Sequence, residues 1–336
     1  MNRNYLKTIS LSLFIMLFII LSFSFRKADE AAVSFENNDK EFLPVLTAYS
    51  LYEGKIADLI PAKGVELYEL SSHLFVDYAE KHRMIKLPAG TKMIFKGDGL
   101  PDFPDGTILV KTFYYYKDKR NLSDGKNIIE TRLLIKKQSK WVVGTYKWNT
   151  QQTEASLITT GTDVNAAWID ADGKEKKIFF HIPSNAECSE CHESNKADIP
   201  IGTKLRNMNF DVSRNGATIN QIKHFQNIGW INSVDIAAIH SLPNWENPEY
   251  SLDKRARAYL DMNCAHCHNS KGSAADNKLV FEYEIPFDST SIFLKKDKIL
   301  KRMQSVEEDM RMPKIGTTVI DADGFELIKK YVNSLK

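Results

Sequence analysis

Two short motifs use all four cysteines of this 336-residue chain. The first is CSECH at residues 188–192 and the second is CAHCH at residues 264–268. Cys-x-x-Cys-His is the attachment signature of c-type haem. The two thiols form thioether bonds to the vinyl groups of the porphyrin, and the adjacent histidine binds the iron. Covalent attachment retains the cofactor even in a small domain that buries it poorly.

The sequence therefore predicts two covalently bound haem c groups, each with its iron. In each motif, two cysteines tether the porphyrin and the histidine is the proximal ligand. The predicted cofactor-binding residues are Cys188, Cys191 and His192 for the first haem, and Cys264, Cys267 and His268 for the second.

Other uses of paired cysteines fit the pattern less well. Two thiols three positions apart rarely form a stabilising disulfide, and that explanation leaves both histidines unexplained. A zinc site with four cysteines usually places its two pairs 15–20 residues apart, whereas these pairs are far more distant in the chain. A thioredoxin-type dithiol requires a βαβ context, which the surrounding sequence does not suggest.

The second haem has a well-placed candidate for its sixth ligand. Met312 lies in RMPKIG, just before a predicted C-terminal helix, and Pro313 restricts the backbone that follows it. A thioether opposite a histidine raises the reduction potential of the iron. Met303 and Met310 are competing candidates in the same region.

The sequence leaves the sixth ligand of the first haem open between several residues. Met208 is the candidate nearest in sequence, and the predicted metal ligands are therefore His192, His268, Met312 and Met208. The alternatives are His181, His224, His240 and an open or water-bound iron. His266 lies between the two cysteines of its motif, so we expect it to be a surface or hydrogen-bonding residue.

Strand signals dominate the first half of the chain. GTILVKTFYYY, NIIETRLLIKK and KWVVGTYKWN are rich in β-branched and aromatic residues, and Asp172-Gly173 is typical of a hairpin turn. Residues 46–87 are predicted to form short helices and loops. We expect an α+β protein in which an antiparallel β-rich domain, residues 46–183, precedes a mainly α di-haem segment.

Helical patterns and loops follow Pro183. TINQIKHFQNIGWI and LDKRARAYLDMN show helical spacing, and the C-terminal DGFELIKKYVNSLK has one apolar face. The expected organisation is a first haem segment at 184–250 and a cytochrome c fold with the second haem at 251–336.

The N-terminus has the pattern of an export signal. Basic residues precede an uncharged run at residues 9–25, and residues 26 and 27 are basic again. Residues 1–27 are predicted to be a signal peptide or an inner-membrane anchor formed by residues 9–25. Residues 28–45 are predicted to be a polar linker, and the protein is expected in the periplasm.

Several segments together resemble a family of bacterial exported di-haem c-type cytochromes. They are PDGTILVKTFYYY, ETRLLIK, WVVGTYKWN with QTEASL, the first haem motif, INQI, RARAYLDMNCAHCHN and RMPKIG. The resemblance extends over roughly residues 50–335. It implies electron transfer, a β-rich region before the haem segment, and the positions of both haem attachment sets with Met312.

The predicted function is electron transfer in the periplasm through two haems. The expected partners are redox proteins of the periplasm or inner membrane. Basic and acidic residues are nearly balanced, 45 against 43, which argues against a nucleic-acid partner. The alternative is a peroxidase-like di-haem enzyme with an open first haem, for which Glu190, Glu193, His181 and His240 are available as acid–base groups. The sequence favours an electron carrier over a catalyst.

Overall fold

Six antiparallel strands follow one another across a single sheet. The computed structural model describes residues 41–214, 216–307 and 309–336. Each strand pairs with the next in chain order. The strands are β1 (Val65–Leu67), β2 (Glu80–Lys86), β3 (Ile108–Tyr116), β4 (Lys126–Lys137), β5 (Lys140–Trp148) and β6 (Ala155–Ile158).

Shorter two-stranded sheets complete the β structure of the described residues. β7 (Thr162–Ile169) and β8 (Glu175–Ile182) form the hairpin predicted at Asp172-Gly173, where Gly173 adopts a φ of 80°. The remaining pairs are β9 (Glu193–Ser194) with β10 (Ala197–Asp198), and β11 (Asp211–Arg214) with β12 (Ala217–Asn220). The prediction of a large antiparallel sheet is confirmed.

Six α-helices follow in the described part of the chain, all after the last long strand. They are α1 (Asn185–His192), α2 (Leu205–Met208), α3 (Gln221–Asn227), α4 (Leu252–Asn263), α5 (Ile292–Met303) and α6 (Ala322–Ser334). α4 matches the predicted LDKRARAYLDMN helix. The helix predicted in TINQIKHFQNIGWI begins only at Gln221, because Asn220 caps the free N–H groups of Ile222 and Lys223 and Ile219 belongs to β12.

The prediction for residues 46–87 is wrong in its second half. Short 3₁₀ helices do occur at Leu46–Tyr49 and Ile56–Asp58. β1 and β2, however, are strands of the main sheet. The sequence of β2 shows no alternation of polar and apolar residues, because Lys81 and Arg83 lie on the same face as the buried Ile85.

Both faces of the sheet are buried. Ile108, Val110 and Leu133 pack on one face against the segment that begins at Phe42. On the opposite face, Leu109 and other sheet residues share one core with Cys188 and the helices that follow it. The sheet and the first motif therefore belong to one packed unit, which extends over Phe42–Lys336.

The N-terminal predictions cannot be compared with this architecture. The predicted signal or anchor segment, residues 1–27, and the linker up to residue 40 lie outside the described residues. Within the described ranges, no helix has the length and apolar character required to span a bilayer.

Helices α4 and α6 approach closely at Gly324. A Cβ at this position would overlap the ring of Tyr259, which is buried and donates a hydrogen bond to Asp321 at 3.0 Å. We expect Gly324→Ala to lower the free energy of unfolding by about 1–3 kcal/mol, because the core has no room for the added methyl group. Denaturant titration measures this change.

Gly99→Ala is the matched control for that substitution. No atom lies within 4 Å of the position of its Cβ, and its φ is not in the left-handed region. We expect a change below about 0.5 kcal/mol at Gly99. Equal effects at Gly324 and Gly99 would contradict the close packing of α4 against α6.

Candidate functional site

The first motif lies on helix α1, directly after β8. Ser184 and Glu187 form a capping box that fixes where the helix begins, with the Glu187 carboxylate accepting from the Ser184 backbone N–H at 2.8 Å. Helical spacing of three and four residues then places Cys188, Cys191 and His192 on one side of α1. Cys188 is 3% exposed, and its sulfur lies 3.8 Å from Thr145 Oγ1 on β5. The motif therefore faces the sheet.

His192 is oriented by the backbone of its own segment. Its Nδ1 lies 2.7 Å from the carbonyl oxygen of Ile199, which can only accept a hydrogen bond. Nδ1 therefore carries the proton and Nε2 keeps a free lone pair, which is the tautomer of a metal-binding histidine. Burial lowers the pKa of His192 to about 3, so the ring is neutral at physiological pH.

The second motif forms the turn that ends helix α4. Cys264 is the C-cap residue, and its carbonyl accepts from the backbone N–H groups of Cys267 and His268 at 3.2 and 2.9 Å. The His268 ring packs edge-on against Phe281, with centroids 5.4 Å apart, and Asn277 Nδ2 lies 3.2 Å from its Nδ1. These contacts set the direction of the imidazole.

A cavity of about 530 Å³ opens beside the second motif. This volume falls within the roughly 300–1,000 Å³ typical of cofactor and ligand sites. Its wall combines three thiols, two imidazoles and two thioethers with an apolar surface. The lining includes Cys264, Cys267, His268, Met303, Met312, Leu279, Phe281 and Ile299. Both the donor set and the volume fit a haem attached at this motif.

Met312 is one of the two methionines in that wall. Its backbone N–H donates to the Arg302 carbonyl at 3.0 Å, which ties it to the end of α5. Met303, a buried residue of α5, also reaches the cavity, whereas Met310 is not among the described lining residues. The structure therefore brings Cys264, Cys267, His268 and Met312 together around one space, and Met303 is the remaining alternative to Met312.

The loop after Met312 is held by a buried carboxylate from the sheet region. Asp77 accepts the Thr318 backbone N–H at 2.8 and 2.9 Å, the Thr318 hydroxyl at 2.8 Å and the Val319 N–H at 3.2 Å. Burial raises the pKa of Asp77, while the hydrogen bonds from Thr318 and Val319 act in the opposite direction. Arg311 also donates to the carbonyls of Thr317 and Thr318 at 3.1 Å. Asp77 thus fixes the position of the loop that carries Met312.

A much smaller cavity, about 40 Å³, lies between the first motif and the sheet. Its lining includes Lys111, Arg132, Cys188, Cys191, His192 and His266, together with residues 74–76 and the loop residues Pro313 and 315–317. The donor set of a tethered haem is present here. The volume, however, is far below that of typical cofactor sites, so a haem does not fit the cavity as it stands.

The two motifs meet in space. The Cys191 and Cys267 side chains are hydrogen-bonded to each other, and this contact lowers the pKa of the Cys267 thiol. All four cysteines are free thiols. Cys191 and His266 line both cavities. Within the described ranges, no group of three or more His, Cys, Asp or Glu side chains is arranged to hold a metal ion.

The other residues considered for the first haem lie elsewhere. Met208 is 3% exposed within the core around Cys188 and is not among the described residues that line either cavity. His224 contacts Glu66 at 2.9 Å. His240, with a side chain 87% exposed, contacts Asp98 at 2.7 Å. His181 lies between Asp163 and Glu187, at 2.6 and 3.1 Å.

The sequence did not predict that four residues would line or support the two cavities. His266 is half-buried between the cavities, with an Nδ1 atom that has no hydrogen-bond partner among the described residues. Lys111 and Arg132 occupy inward positions of predicted strands, where a charged residue is unusual and is itself a signal. Asp77 has no local sequence signal, because its partners lie more than 240 positions away.

Comparison with known proteins identified no relative of this chain. No family model, no curated protein and no solved structure matches the chain.

Proposed function

We propose that this chain is an exported c-type cytochrome that transfers electrons through haem bound covalently at its two Cys-x-x-Cys-His motifs. The observation that carries the proposal is the cavity of about 530 Å³ at the second motif. There, two thiols with the attachment spacing share one wall with an imidazole and a thioether. That combination of groups is the one needed for a tethered, six-coordinate haem.

At the second motif the proposed roles follow from the placement of each group. Cys264 and Cys267 would hold the porphyrin, His268 would be the proximal ligand, and Met312 would be the distal ligand. A bound haem c supplies reversible one-electron chemistry, and methionine ligation raises its potential. Leu279, Phe281 and Ile299 give this space an apolar surface for the porphyrin.

At the first motif the donor set supports haem attachment, but the volume does not. Cys188, Cys191 and His192 have the required spacing, and the hydrogen bond to Ile199 leaves His192 Nε2 free. A haem here requires residues 74–76 and the loop at 313–317 to lie further from α1 than they do in this structure.

A second candidate function is a peroxidase-like di-haem enzyme. One observation favours it: Met208, His181, His224 and His240 are all absent from the described residues that line the first cavity. An iron at the first motif would then lack a sixth ligand from this set. Glu190 lines the larger cavity and Glu193 is exposed in β9, so neither faces the first cavity.

The absorption spectrum of the ferric protein, matured in cells that attach c-type haem, distinguishes the two candidates. An electron carrier gives low-spin bands from all of its haem. A high-spin band from half of the haem indicates the enzyme, and peroxide turnover is then the next assay. A protein that matures without haem contradicts both functions.

The location and partners belong to the same proposal. We place the folded unit in the periplasm, with residues 1–27 as a cleaved signal or with residues 9–25 retained as an inner-membrane anchor. Its partners are then redox proteins of the periplasm or the inner membrane.

A further inference from the structure

The two motifs lie side by side, with one thiol from each in contact. The Cys191 and Cys267 side chains are hydrogen-bonded to each other, and both line the larger cavity. Four residues further along each segment, the Asn195 backbone N–H donates to the Lys271 carbonyl at 3.2 Å. The segments that follow the two thiols are therefore tied together as well, and the tertiary fold holds the thiols at one place.

The alternative partner of Cys191 within its own motif is less well placed. Cys188 is buried, and its sulfur lies 3.8 Å from Thr145 Oγ1 on β5. Cys188 and Cys191 are three positions apart on α1, a spacing that separates the Cβ atoms by about 5–6 Å. A disulfide requires a Cβ separation of about 3.5–4.5 Å. A bond between these two residues would distort α1, whereas Cys191 already contacts Cys267.

The contacting thiols are also the accessible ones. Cys191 and Cys267 are half-buried in the wall of the cavity of about 530 Å³, so a small disulfide compound that enters this space meets both of them. Cys188 is shielded by the sheet. Disulfides form and persist in oxidising compartments such as the bacterial periplasm, where the proposed function places this chain.

We propose that Cys191 and Cys267 form a disulfide between the two motifs in the chain that has not yet received haem. The step is thiol–disulfide exchange with a disulfide oxidant. One cysteine attacks a sulfur of the oxidant and releases one thiol, and the other cysteine then attacks the mixed disulfide and releases the second. The chain loses two electrons and two protons, and the oxidant is reduced to two thiols.

A single bridge at this position affects both haem sites, a consequence that rests on the proposed function. Each motif needs both of its thiols to form two thioether bonds. The bridge takes Cys191 from the first motif and Cys267 from the second, and it leaves Cys188 and Cys264 as free thiols. Haem attachment at either motif then requires prior reduction of this one bond, so the bridge makes loading of the chain dependent on a thiol reductant.

Peptide mapping of the full chain, produced without haem attachment, tests the bridge. The reduced chain is equilibrated with oxidised glutathione, its free thiols are blocked with iodoacetamide, and it is digested without reduction. We expect a cross-linked peptide that joins Cys191 to Cys267, with Cys188 and Cys264 alkylated. Cross-links within each motif, or four alkylated cysteines, would overturn the proposal.

Two variants control for the choice of partner. Cys188→Ser combined with Cys264→Ser should retain the cross-link, because both contacting thiols remain. Cys191→Ser should abolish it and leave Cys267 open to alkylation. Circular dichroism verifies that each variant is folded. A cross-link that is lost from the double variant while the chain stays folded would contradict the proposed pairing.

The mapping also separates this proposal from the proposed function, because it uses a chain without haem. A chain that forms the bridge but receives no haem after maturation supports the disulfide and contradicts the function. A chain that receives haem at both motifs but forms no bridge when unloaded overturns the disulfide and leaves the function standing.

Discussion

Replacing Cys264 and Cys267 together with serine is expected to remove one covalently bound haem from each chain. Both thiols line the cavity of about 530 Å³, and they are the two groups of the second motif that can form thioether bonds to haem. Serine has nearly the same size but forms no thioether bond. The haem count, measured as intact mass under denaturing conditions, should fall from two to one.

The reciprocal variant is the control for this prediction. Cys188→Ser combined with Cys191→Ser should remove the other haem and leave the second in place. The remaining haem in this control should retain the spectral signature of histidine and methionine ligation, because the variant leaves His268 and Met312 in place, although Cys191 also lines their cavity. Loss of both haems from either variant would show that the two sites do not load independently.

Asp77→Ala is expected to have the largest effect among substitutions outside the two motifs. The change leaves the N–H groups of Thr318 and Val319 and the Thr318 hydroxyl without their buried acceptor. Hydrogen bonds to charged groups contribute about 1.5–3 kcal/mol each, so we expect a loss of about 3 kcal/mol or more in the free energy of unfolding. Denaturant titration measures it.

The same variant should weaken methionine ligation at the second haem. Asp77 acts as a positioning residue, since it holds the loop that places Met312 in the cavity wall. We expect the absorption band of the bond between ferric iron and the thioether to diminish, and the midpoint potential to fall. Asp77→Asn, which retains one acceptor oxygen, should recover part of both signals.

Asp102→Asn is the control for charge removal. Its carboxylate is 43% exposed and pairs with Lys96 and with Lys136, near the end of β4. We expect little change in stability, because exposed ion pairs contribute about 0–1 kcal/mol, and no change in the thioether band. If Asp77→Ala leaves that band intact in folded protein, Asp77 does not position Met312.

Local sequence patterns were sufficient to predict the elements that carry the second motif. α4 and α6 have apolar residues at helical spacing. The order of helix, Cys-x-x-Cys-His motif and Met-Pro along the chain is also evident from the sequence. β3, β4 and β5 were equally readable, because their β-branched and aromatic residues bury both faces of the sheet. Such elements can be predicted from the sequence because their patterns involve residues that are close together in the chain.

Features that depend on distant contacts were not predictable in this way. Asp77 and Thr318 are 241 positions apart, and the contact of Cys191 with Cys267 joins two separate motifs. β2 was missed for a different reason. Its inward positions include the charged residues Lys81 and Arg83, which obscure the alternation typical of a strand.

The intact mass of the matured wild-type chain decides whether haem is bound covalently at the two motifs. The protein should be produced in cells that attach c-type haem and then denatured, so that any bound but untethered cofactor is released. We expect a mass increase of two haems, located by peptide mapping at Cys188 with Cys191 and at Cys264 with Cys267. A matured chain with the mass of the bare polypeptide and four unmodified thiols would contradict it.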